Sequence, residues 1–147
     1  MPQAMATEIE RQCETIESCY EFMLSYAARG LASDDGSDAS QQLRDHLTRA
    51  AGAMRGLVRS CADALEQEQL APAEKYEAFF EVLKRDAEGA IAAVEMVLAQ
   101  AAIGSQLIDN LNASIHLRAL LADLFLVTEI LDARRTYAAT GGVAGAR

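Results

Sequence analysis

Apolar residues recur along most of this chain at alternating spacings of three and four, the repeat of one helix face. The first stripe is Ile9, Cys13, Ile16, Tyr20, Met23 and Ala27, while Glu10, Glu14, Glu17 and Glu21 fill a different, solvated face. Thr7 and Glu10 have capping-box spacing, which predicts where this helix starts. Gly30, suited to a left-handed backbone, predicts where it ends. The loop LASDDGSDAS follows at residues 31–40, with Ser37 or Asp38 as the cap of the next helix. The second stripe is Leu43, Leu47, Ala50, Met54, Leu57, Cys61 and Leu65. A third helix opens with Pro72 at its first position, where a missing N–H does no harm. Its stripe runs Tyr76, Phe80, Leu83, Ala87, Ile91, Val94, Leu98 and Ala101, with Gly89 weakening the middle. Gly104 followed by Ser105 reads as a stop and a new start.

The predicted helices are therefore about 7–30, 38–69, 72–103 and 106–138. Each is roughly 40–50 Å long at 1.5 Å per residue. The last two connections are short, which forces neighbouring helices to run antiparallel. No run of alternating β-branched residues competes. The expected fold is all-α: an up-down-up-down four-helix bundle over residues 1–138, followed by a loose Gly/Ala-rich tail at 139–147.

The fourth helix is apolar nearly all round. Leu107, Leu111, Ile115, Ala122 and Leu126 fall on one side, and Leu117, Leu121, Leu124 and Leu131 on another. In a four-helix monomer each helix keeps one wet face, so this surplus predicts self-association, as a homodimer or higher homo-oligomer, with the fourth helix at the seam. The first helix adds a smaller second stripe of Cys19, Phe22 and Tyr26, expected beneath the acidic loop or at an interface.

At 147 residues, 51% of them apolar, the chain is long enough to bury a core as one domain without staples. It carries 22 acidic and 13 basic side chains, a formal charge of −9, which opposes a phosphate-backbone binder. Aromatics at 5% and the absence of Trp oppose base stacking, so no nucleic acid is expected. Cys13, Cys19 and Cys61 are odd in number and form no CxxC, which predicts reduced thiols rather than a secreted disulfide framework. The start shows no signal-peptide pattern, and the apolar run Leu117–Leu131 is short and broken by Arg118, Asp123 and Glu129. A cytoplasmic protein with no membrane contact is expected.

Candidate chemistry is sparse. Ser105, Asp109, Asn112, His116 and Asp123 share one face of the fourth predicted helix, with Asn112 and His116 one turn apart and able to pair. Such a strip can fix helix register, line a small-molecule cavity or simply face water. Asp109 and Asp123 each lie seven residues from His116, about 10 Å along the axis, so the three cannot hold one ion. Neither histidine has the Glu-x-x-His spacing of di-iron bundles, and no metal or other cofactor is expected. His46 sits at the shoulder of the second stripe. Its segment HLTRA resembles the histidine-phosphotransfer motif, with Arg49 matching the basic residue three positions on. Ala50 stands where that family has Gly, and Leu47 where it has a small or polar residue. The resemblance implies a phosphorelay role for His46; the plainer reading is a histidine with one exposed edge. Arg44, Arg55 and Arg59 form a basic side of the second helix. They suit an anion or an acidic partner segment, or pairing with the Glu-rich first helix. Gly52 and Gly56 permit close helix packing.

The function expected from these features is that of a non-enzymatic helical-bundle protein, an adaptor, assembly factor or regulator acting through protein–protein contacts. The alternatives are a phosphorelay module using His46, and a small-ligand binder or enzyme using Asp109, Asn112 and His116.

Overall fold

The structure, a computed structural model, describes residues 2–31 and 38–139. The expectations for the middle of the acidic loop and for the Gly/Ala tail lie outside the described residues. Among the described residues there are five helices and no strand: α1 (Pro2–Ala27), α2 (Asp38–Gln67), α3 (Ala73–Leu98), α4 (Ser105–Ala113) and α5 (Ile115–Ala139). They pack α1 on α2, α2 on α3, α3 on α5 and α1 on α4, around one apolar core that draws on all five.

The predicted stripes of α1 and α2 enter the core largely as expected. Ile9, Cys13, Ile16 and Met23 are buried from α1, and Leu43, Leu47, Ala50, Met54, Leu57 and Cys61 from α2. The second stripe of α1 belongs to the same core rather than to an interface. Cys19 and Tyr26 are buried, and Phe22 packs against them at its edge. All three cysteines are free thiols, and burial is the main force pushing each up to about 12.

Helix ends differ from the sequence reading in instructive ways. Thr7 lies inside α1, so the Thr7–Glu10 spacing does not mark its start. The exit from α1 is as predicted, with Gly30 at a φ of 70°. At the end of α2, Gln69 takes the left-handed conformation, with a φ of 52°. The Leu70 N–H then reaches back to the Leu65 carbonyl, and the Leu70 side chain is buried. This closes α2 with a residue that a glycine would replace without strain. Pro72 is the N-cap of α3 rather than its first residue.

α3 stops at Leu98, five residues short of the expected end. Arg44 of α2 explains the stop: its guanidinium donates to the carbonyls of Leu98, Gln100 and Ala101, a cation set against a helix C-terminus. Beyond it the chain turns inward, burying Ile103.

The predicted fourth helix is two helices. Ser114 has an extended backbone and belongs to neither. Its N–H still bonds the Leu111 carbonyl, closing α4. Its hydroxyl accepts the Leu117 N–H at 3.3 Å, which caps the start of α5.

No helix among the described residues is long and apolar enough to cross a membrane.

Candidate functional site

The residues proposed as one strip on the fourth helix do not form one. The break at Ser114 divides them between two elements. Ser105 is buried, and its hydroxyl donates to the Tyr26 carbonyl at 2.7 Å while accepting the Leu31 N–H at 2.9 Å. It is a bracket between the end of α1 and the start of α4. Asp109 is exposed and lines a surface hollow with Ser105, Gln106 and Gly30. Asn112 is buried, and neither its amide nitrogen nor its oxygen has a hydrogen-bond partner, so the expected pairing with His116 does not form. His116 is exposed and lies over Gly89 of α3, where a Cβ would come within 3.1 Å of its Nδ1.

Asp123 is brought instead to a residue that the sequence reading missed, Asp86 of α3. The Asp86 carboxyl group is near enough across the α3/α5 seam to act on that of Asp123. Oδ2 of Asp123 is buried without a hydrogen-bond partner. Burial first, and then the neighbouring carboxyl group, push Asp123 up to about 7. The signal in the sequence was faint: Asp86 lies three residues beyond the core residue Leu83, on the shoulder of the α3 stripe.

Around this pair, α3 and α5 present parallel lines of outward positions. On α3 they are Phe79, Val82, Asp86 and Gly89; on α5 they are His116, Ala119, Asp123, Leu126 and Ile130. The closeness of His116 to Gly89, the action of Asp86 on Asp123, and a groove holding Tyr76, Phe79, Val127 and Ile130 show that the lines lie side by side. The opposite side of α5 is fully used by the core: Leu117, Leu120, Leu121, Leu124, Val127 and Leu131 are buried. The outer side is not. Leu126 is 49% exposed and Ile130 38%, Phe125 is 57% exposed on another flank of α5, and Val82 is exposed on α3.

His46 lies between α1 and α2. One ring face stacks on Phe22 at a centroid distance of 4.5 Å. Its edge shares an open cleft with Arg49, Arg11, Ser18, Thr15 and Glu14. Burial, followed by the charge of Arg49, lowers its pKa, which keeps the ring neutral in neutral solution. The three arginines suggested as an anion site are not gathered. Arg44 caps α3, Arg55 pairs with Glu95 of α3 rather than with the Glu-rich first helix, and Arg59 is exposed. Gly52 faces open space, whereas Gly56 lies under the Gln12 side chain of α1. Among the described residues, no three potential metal ligands come together.

No family model matches the chain, and neither the curated proteins nor the solved structures compared with it contain a match.

Proposed function

We propose that this chain is a non-enzymatic interaction protein that associates with copies of itself through the outer face of α3 and α5. One observation carries the reading: Leu126 and Ile130, one turn apart, stay exposed although the opposite side of α5 already fills the core. Isolated exposed apolar residues are ordinary, but a contiguous set beside an apolar groove marks a surface that a partner covers. Helical spacing on both α3 and α5 suits a helical partner, and a second copy presents the same pattern.

In this reading the five helices make four rods running up-down-up-down, with α4 and α5 sharing the fourth. Its support is the pairing of helix ends. Arg44, near the start of α2, meets carbonyls beyond the end of α3; Glu10, early in α1, meets Arg135, late in α5; Tyr26, late in α1, meets Ile103, just before α4. The reading includes a cytoplasmic setting, supported by three cysteines buried as free thiols.

Sedimentation velocity at micromolar concentration tests the association. The wild-type chain is expected to sediment as a dimer or larger species. The double variant Leu126→Glu/Ile130→Glu is expected to sediment as a monomer with unchanged helicity, because both side chains are already half in water. A wild-type chain that remains a monomer throughout that range refutes the proposal.

A further inference from the structure

The side of α5 that faces away from the core carries a stripe with no charge in it. Ile115, Ala119, Ala122, Leu126, Ile130 and Ala133 follow one another at spacings of four, three, four, four and three. Ile115, Leu126 and Ile130 are large and exposed; the other three are alanines. Arg118 and Glu129, both exposed, border the stripe on the side away from α3. Among the described residues neither has an ion-pair partner in its own chain. Asp123 stands on the other border, beside Asp86 of α3.

The order of large and small residues complements itself when the stripe is reversed. A twofold axis crossing α5 at right angles, at the level of Leu124, sets Leu126 over the partner's Ala122, Ile130 over the partner's Ala119 and Ile115 over the partner's Ala133. Each pair is level to within one residue, about 1.5 Å. The same operation keeps each border residue on its own border, so Arg118 comes level with the partner's Glu129, and Glu129 with the partner's Arg118. A parallel pairing does neither. It sets leucine on leucine and alanine on alanine, so large side chains hold the helices apart where small ones leave a void, and it leaves the two charges eleven positions apart. On α3, Phe79 shares a groove with Ile130, which puts the axis close to Arg85. There Val82 falls over the partner's Gly89, and Arg85 has Glu81 and Glu88 one turn either side of it. An unrelated helix would have to supply this sequence of sizes and charges independently, whereas a second copy supplies it by symmetry.

We propose that two copies of this chain meet through α5 in this antiparallel register, small residues receiving large ones along the seam and an Arg118–Glu129 ion pair standing on either side of the axis. The register rests on the self-association proposed above and assigns each side chain of the seam its opposite number.

Sedimentation equilibrium of the full chain, with circular dichroism as the check on helicity, tests it. Arg118→Glu and Glu129→Arg are each expected to weaken the dimer on the order of tenfold, because either turns two symmetric attractions into repulsions. The double variant Arg118→Glu/Glu129→Arg is expected to restore it. Cysteine pairing gives an independent reading, since Cys13, Cys19 and Cys61 are buried. Under mild oxidation, a mixture of Ala122→Cys and Leu126→Cys chains is expected to form a disulfide between the two variants. Leu126→Cys alone is expected to form little, because its two copies lie about four residues, about 6 Å, apart along the axis. A wild-type dimer that neither reversal weakens, or whose Leu126→Cys variant cross-links to itself in preference, overturns the register and leaves self-association standing. A wild-type chain that stays a monomer removes both.

Discussion

Replacing Ser105 with Ala removes the hydroxyl that joins the exit of α1 to the entry of α4. Two hydrogen bonds disappear. The Tyr26 carbonyl loses the 2.7 Å bond from Ser105 but keeps the Arg29 N–H at 3.1 Å, so it is not orphaned. That loss costs about 1 kcal/mol, the net worth of a neutral hydrogen bond. The Leu31 N–H is half-buried and loses its acceptor at 2.9 Å, a larger penalty of about 1–2 kcal/mol. The Ser105 N–H still reaches the Leu31 carbonyl at 2.8 Å, so the segments stay close and water does not enter freely. The sum is about 2–3 kcal/mol, which at an ordinary urea dependence moves the unfolding midpoint down by about 1 M. Urea titration followed by far-ultraviolet circular dichroism measures it. Tyr26→Phe is the companion variant: it removes the 2.8 Å bond to the Ile103 carbonyl and is expected to cost about 1–2 kcal/mol. A Ser105→Ala loss below about 0.5 kcal/mol, within the range of ordinary surface changes, would refute the bracket.

Two further predictions concern the backbone. Gly52 lies in the middle of α2 and faces open space, so Gly52→Ala is expected to stabilise the chain by about 0.8–1 kcal/mol through helix propensity alone. One turn later, a Cβ on Gly56 would come within 2.7 Å of the buried Gln12 Nε2, which is already donating to Glu8, so Gly56→Ala should gain far less or lose; equal gains at both sites would contradict the contact. Gln69→Gly relieves a left-handed side chain at the end of α2 and is expected to raise stability by about 0.5–1 kcal/mol in thermal or urea melts, whereas Gln69→Ala should give no such gain.

Helix type and core faces were legible because burial and periodicity coincide: nearly every residue of the α2 stripe is buried where its spacing put it. The exit at Gly30 was legible because glycine has a strong local preference there. What escaped depended on contacts from elsewhere in the chain. Arg44 ends α3 from another helix, and no local feature of Leu98–Ala101 announces it. Ser114 was legible in principle, since a Ser after Asn112–Ala113 is a good cap, but the apolar residues on both sides masked it. That miss carried the candidate strip with it, because one helix face cannot continue through an extended residue. The surplus of apolar surface on the last segment was read correctly from the sequence, as Phe125, Leu126 and Ile130 outside the core attest, although Phe125 and Ile130 were not among the residues singled out. Asp86 was missed because its meaning lies entirely in Asp123, thirty-seven positions away.

The extended residue at Ser114 divides labour along the last stretch of chain. α4 attaches chiefly to α1 and α5 chiefly to α3, so the segment changes neighbours at a single joint. Substitutions on the outward side of α5 can accumulate without the closure of α1 on α4 being disturbed.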